Sequence, residues 1–157
     1  MIVSDASPLI ALARIGQLDL CKLFFDVVVI PVAVHDEIDA SPRGFEGARP
    51  DWIQVQSVRD AAAAGDLLRD LDRGEAEAIV LAEELQAFLL IDESGGRRFA
   101  LARGLQITGT LGVLLAAKLA GHIESLTAML ELLEDEGFHM SARLVAEVRA
   151  AAGEEVV

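Results

Sequence analysis

Short apolar runs without polar alternation recur along the chain, and each leads into a stretch with helical spacing. Ile2-Val3-Ser4 runs into Asp5, Val27-Val28-Val29-Ile30 into Pro31, and Phe88-Leu89-Leu90-Ile91 into Asp92. An unbroken apolar run predicts a strand covered on both faces, because a half-exposed strand alternates with period two. Ser7-Pro8 reads as N-cap and first residue of a helix ending near Gly16, and Pro31 opens a helix that carries Glu37. Ile53 to Val58 predicts an edge strand, reached through a loop from Ser41 to Asp51 that holds Pro42, Gly44, Gly47 and Pro50.

The second half continues the alternation. Ala61 to Leu71 is helical in composition, and Asp72-Arg73-Gly74-Glu75 has the D-x-x-E form of a capping box before a helix to about Gln86. Ser94 to Arg103 predicts a helix closed by Gly104, Leu105 to Thr108 a fifth short strand, and Thr110 the N-cap of a helix ending near Gly121. Ile123 to Glu136 and Ser141 to Ala152 have the three-and-four spacing of amphipathic helices. Strands alternating with helices predict an α/β fold: a three-layer α/β/α sandwich around a central parallel sheet of about five short strands. A chain of 157 residues supports one core, so 1–157 is expected to be a single domain, with 123–157 as a C-terminal helical extension.

Charge narrows the possible functions. There are 26 acidic and 13 basic residues, a formal net charge of -13, which repels nucleic acid at long range and argues against a DNA-coating protein. A nuclease is still compatible, since catalytic carboxylates are part of that charge. Arg97, Arg98 and Arg103 form a local basic segment, either beside such a site or on a solvated helix face. No apolar stretch of about 18 residues and no basic segment after Met1 occurs, which predicts neither a transmembrane helix nor a signal peptide and places the protein in the cytoplasm. Cys21, the single cysteine, sits among Leu20, Leu23 and Phe24 and is expected to be a buried thiol. His35, His122 and His139 lack the pairing that a zinc site requires.

The candidate chemistry lies in four carboxylates. Asp5 and Asp92 directly follow strands and belong at one carboxyl edge of the sheet, where ligands bind in such folds. Glu37, three residues after Val34 and one before Ile38, borders the buried stripe of its helix. Glu75 shares a helix face with Ala78, Ile79 and Ala82, whereas Glu77 is expected near Glu84 on the opposite side. Clustered carboxylates without His or Cys favour a hard cation, Mg²⁺ or Mn²⁺. Glu93 competes with Asp92, Glu77 with Glu75, and Ser7 either caps its helix or also steadies Asp5 or a bound water. An aspartate-nucleophile phosphatase would normally carry a second Asp two residues after Asp5, and this chain has Ser7 there.

Asp5-Ala6-Ser7-Pro8-Leu9-Ile10, Glu37, Gly74-Glu75-Ala76-Glu77-Ala78-Ile79 and Leu90-Ile91-Asp92 together resemble the PIN-domain nucleases, particularly the VapC-type toxins of toxin-antitoxin pairs. The resemblance covers about residues 1 to 120. It implies a Mg²⁺- or Mn²⁺-dependent endoribonuclease acting on single-stranded or looped RNA, inhibited by an antitoxin protein, with Asp5, Glu37, Glu75 and Asp92 as the four acids in order. Thr110, after Gly109, falls where related sequences often carry a polar residue near the site. The third acid is commonly Asp in these toxins and is Glu here. The two C-terminal helices extend past the usual pattern. Their stripe of Leu126, Met129, Leu130 and Leu133 is expected to meet an antitoxin, form a homodimer, or pack on the domain's own sheet. The alternative to an enzyme is an interaction module whose acidic pocket turns over no substrate.

Overall fold

Five short strands pair in parallel in the order β3-β2-β1-β4-β5: β1 (Ile2–Ser4), β2 (Val28–Ile30), β3 (Ile53–Val55), β4 (Phe88–Leu90) and β5 (Ile107–Thr108). The computed structural model describes residues 1–40, 42–46 and 49–154. Val3, in the central strand, lies beside Val29 on one side and Leu89 on the other. Nine helices occur among the described residues: α1 (Ala6–Arg14), α2 (Asp19–Phe25), α3 (Val32–Ala40), α4 (Ala61–Leu67), α5 (Arg73–Leu85), α6 (Ser94–Ala102), α7 (Thr110–Leu119), α8 (Leu126–Asp135) and α9 (Ala142–Ala151).

The strands are apolar throughout because both faces are covered. Ile2, Val28, Ile30, Ile53 and Leu90 pack with residues of α1, α2, α7 and α8, while Val3, Val29, Leu89 and Ile91 pack with α4, α5 and α6. This is the expected three-layer α/β/α sandwich. Burying one such side chain contributes about 1.5–3 kcal/mol, against a β-propensity scale that spans only about 1 kcal/mol. Packing therefore decides that strands of two or three residues form at all.

Local boundaries differ from expectation where strand and helix join without a linker. Asp5 still donates its backbone N–H to Leu90 (2.9 Å), and it is itself the N-cap of α1, with extended φ -74° and ψ 169°. Ser7 thus lies inside the first turn and is not the cap. A displacement by one residue in the same direction occurs at α7, where Gly109 and not Thr110 is the N-cap. Helix α2 had no counterpart in the apolar pattern, since its seven residues bury only Leu20 and Cys21. The loop expected over 41–51 is described at 42–46 and 49–51; Ser41, Gly47 and Ala48 lie outside the described residues, as do residues 155–157.

The apolar stripe of α8 packs on its own domain. Leu126, Leu130 and Leu133 are buried in the same cluster as Ile2 and Leu90, with half-buried Met129 against them. Helix α9 buries none of its residues completely. Beyond it, the Glu154 carboxylate accepts from the N–H groups of Leu126 (2.7 Å) and Thr127 (3.0 Å) and pairs with Lys118 Nζ (3.0 Å). The segment just after α9 is thereby fastened to the first turn of α8.

Candidate functional site

Parallel connectivity brings the acids to one edge. β1 and β4 deliver Asp5 and Asp92 just past their carboxyl ends, and α3 leaves that edge after β2 with Glu37 in its second turn. Helix α5 runs back to the start of β4, so its first turn, with Asp72 as N-cap and Glu75 as third residue, returns to the same edge. α5 packs against both α3 and β1.

Gly74 is the point of closest convergence. A Cβ there would collide with Glu37 Oε1 and stand 3.3 Å from Asp5 Oδ1, so the missing side chain is the space these carboxylates occupy. Asp5 is 3% exposed, whereas Glu37 reaches the spot from an exposed position on α3. The Asp5 carboxyl is pushed up to about 8, first by burial and to a smaller degree by the charges of Asp72, Glu37 and Glu75, with the Ala6 N–H partly opposing them. Glu37 is also raised, by burial of its carboxyl and by Asp72.

Glu75 is held by a complete capping box. Its N–H donates to Asp72 Oδ1 (2.8 Å) and its Oε1 accepts from the Asp72 N–H (3.3 Å). The other oxygen faces α6, where a Cβ on Gly96 would stand 2.7 Å from Oε2. Burial and the adjacent Asp72 charge raise its pKa, and Glu93 adds to the effect. Asp72, legible in the sequence only as a cap, is thus a fifth acid whose charge reaches Asp5, Glu37 and Glu75. The D-x-x-E spacing was its signal, since a cap at a site edge is also a charge at that edge.

The expected solvent-facing position of Glu77 is corrected by the structure. Glu77 is buried, accepting from the Ala33 N–H at 3.2 Å and from Arg73 Nε at 2.7 Å. Every residue from Gly74 to Ala82 is buried, so this half of α5 has no polar face from which to read a helical phase. Glu77 faces the first turn of α3 and ties the two helices together.

Asp92 is held separately from that group. Its Oδ1 accepts from the Thr110 N–H (2.8 Å) and its Oδ2 from the Thr110 hydroxyl (2.6 Å). A Cβ on Gly109 would stand 2.6 Å from Oδ1 and 3.0 Å from an Arg97 guanidinium nitrogen, which itself donates to the Ile91 carbonyl (3.0 Å). Of the three expected arginines, Arg97 lies at the site; Arg103 pairs instead with Glu83, and Arg98 is exposed. Glu93 is exposed beside Asp92. From Asp92 a cleft of about 880 Å³ extends along the ends of β5 and α7 to the α8–α9 connection and α9, with Ser7 on its lining.

An all-oxygen donor set matches the chemistry of a hard divalent cation, and the space at Gly74 keeps two carboxylates from being screened by a side chain. Among the described residues, no three His, Cys, Asp or Glu side chains are close enough together to hold an ion in the arrangement described. Burial and neighbouring like charges both favour the protonated carboxyl, and the raised Asp5, Glu37 and Glu75 reflect burial first and the like charges second. The residues fit such an ion by donor type and by shared edge.

No helix of the described residues is long and apolar enough to cross a membrane. Neither the curated proteins nor the solved structures hold a significant match to the chain. A family model described as a PIN domain matches residues 1–154, and PIN domains are in general nucleases. The parallel five-stranded sheet and the acidic edge agree with that match, and the chain belongs to the PIN-domain family.

Proposed function

We propose that this protein is a Mg²⁺- or Mn²⁺-dependent endoribonuclease and the toxin of a toxin-antitoxin pair. The convergence of Asp5 and Glu37 on Gly74, with Glu75 one residue further along α5, carries the reading. Asp5, Glu37, Glu75 and Asp92 would hold the cation. When bound, it would lower the pKa of water and stabilise the charge that develops on the phosphate.

The chain's own residues set the geometry for that chemistry. Asp5, anchored on the central strand, supplies a fixed oxygen donor at the floor. Thr110 fixes both oxygens of Asp92, which leaves its remaining lone pairs aimed by the fold. Glu37, the exposed member, is placed to orient an attacking water and to accept its proton at a carboxylate oxygen, and its raised pKa suits that exchange. Arg97 lines the same cleft as Asp92 and would face a phosphate bound there.

An acidic chain of net charge -13 favours a basic inhibitor, which an antitoxin would supply. The exposed side of α9, not the buried stripe of α8, is the C-terminal surface open to it or to a second copy of the chain. The test is cleavage of varied RNA substrates by purified protein with each metal. Cleavage abolished by EDTA and by Asp5→Asn supports the reading; intact RNA with both metals, under conditions where calorimetry shows the ion bound, refutes it. A short protein encoded beside this gene should inhibit the cleavage, and its failure to bind would remove the toxin-antitoxin part alone.

A further inference from the structure

Resting on that nuclease reading, we propose that the cleft between Asp92 and α9 binds an unpaired RNA nucleotide next to the cleaved phosphate, its base against Phe138 and its phosphate toward Arg97. One end of this cleft is polar and belongs to the acidic site, with Asp92 and Arg97 in its lining. The other end, at the α8–α9 connection and α9, is mostly apolar, with Phe138, Met140, Leu144 and Val148 beside the single polar ring of His139. A nucleotide has the same two-ended chemistry. An apolar peptide would match only the far end.

Size and charge point the same way. A volume of about 880 Å³ lies within the range of pockets that enclose a small ligand, about 300–1,000 Å³. In a duplex the base faces are already stacked, so only an unpaired base can lay its face on Phe138. Phe138 is half-buried against the core, which leaves part of its ring free for that contact. With a net charge of -13 the protein gains little from the RNA backbone, and base contacts must supply the affinity that phosphate contacts supply in basic nucleases.

The assignment gives the C-terminal helices a role in substrate choice. The far wall of the cleft is built by the α8–α9 connection and α9, whereas the acids come from the sheet edge. Sequence preference should therefore be alterable without touching the acids.

The test uses fluorescein-labelled single-stranded RNA hexamers of homopolymer and mixed sequence, with binding followed by anisotropy in EDTA. Leu144→Gln adds no charge at a position 42% exposed, and Phe138→Ala removes the stacking face. Each should weaken binding about tenfold or more, with a matching rise in KM and kcat within about twofold. The slope of log affinity against log salt should be about -1 or shallower, as for one phosphate contact. Circular dichroism checks that both variants fold; should Phe138→Ala fail, Leu144→Gln decides. Unchanged hexamer affinity in a folded variant overturns the assignment, as does equally tight binding of the same sequence annealed as a duplex. Binding of a mixed Lys/Leu dodecapeptide that Leu144→Gln abolishes, with no hexamer bound, overturns it in favour of a protein partner. Wild-type protein that binds hexamers in the cleft yet cleaves none with Mg²⁺ or Mn²⁺ supports the cleft and defeats the nuclease reading alone.

Discussion

Thr110 grips both oxygens of Asp92, one through its backbone N–H at 2.8 Å and the other through its hydroxyl at 2.6 Å. The backbone half of this grip survives any substitution but proline, so the hydroxyl is the separable part. Thr110→Val should lower cleavage about 10- to 100-fold, the usual cost of losing a group that orients a metal-binding carboxylate, and Thr110→Ser should restore most of it. Steady-state kinetics of the two variants checks this.

Gly74→Ala should separate stability from activity. Alanine is the better helix former by about 1 kcal/mol, and the group its Cβ displaces is the mobile end of Glu37, not backbone. Thermal unfolding should therefore change little or move upward. Cleavage should fall about tenfold or more, because Glu37 loses its place beside Asp5. A variant that unfolds early would mean that Glu37 cannot yield there.

Metal-free protein should lose stability as pH rises from about 4 to about 8. The folded state holds the Asp5 proton up to about 8 and the unfolded chain releases it near 3.8, so between those values the folded state binds more protons. Stability then falls with rising pH. Added Mg²⁺ or Mn²⁺ should offset the loss at the alkaline end, where the carboxylates are free to bind it. Melting temperatures at pH 5 and pH 8, with and without metal, and again in Asp5→Asn, give the comparison; a metal-free wild type with no slope would contradict the buried acid.

Glu77 should matter for the fold more than for the chemistry. Its carboxylate satisfies the Ala33 N–H and the Arg73 guanidinium, and Glu77→Ala would leave the first in a buried place without a partner. The expected loss is about 1–3 kcal/mol of unfolding free energy. Glu75→Gln, by contrast, should reduce cleavage about 100-fold, in line with loss of a metal-positioning group. Denaturant melts and rate measurements on the two variants distinguish the roles.

The layered α/β fold was legible because Val28-Val29-Ile30 and Phe88-Leu89-Leu90 carry no alternation, which leaves only a sheet covered on both sides. Strand order was legible only in part: Ile53 to Val58 read as an edge strand, and β3 is one, but nothing local to Ile107 says that β5 forms the opposite edge. Asp5 and Asp92 could be placed because a residue directly after a buried parallel strand has one destination. Glu77 could not, since Ala76, Ala78, Val80 and Ala82 make α5 small and apolar all round and erase the face that a helical wheel needs. Asp72 was read as a local cap, and its second role as a charge beside three other acids depends on tertiary distance. The cleft escaped sequence reading for the same reason, as its two ends come from Asp92 and from residues more than forty positions later.

The fastening of Glu154 to α8 makes one carboxylate the clasp of a segment that otherwise has little to hold it. Backbone N–H groups of Thr127 and Leu126 and the Lys118 ammonium draw its pKa down to about 2 from 4.5, so the clasp is fully engaged above 4.5 and opens as pH falls through about 2. Since α9 buries no residue completely and packs through half-buried Val145 and Val148 and the Ala152 that follows it, the Glu154 contacts are a substantial part of what opposes its local opening. In Glu154→Gln the amides of α9 should exchange with solvent much faster while those of α5 keep their protection. A single charge just past α9 thus helps to set how rigid one wall of the cleft is, without itself lining that cleft.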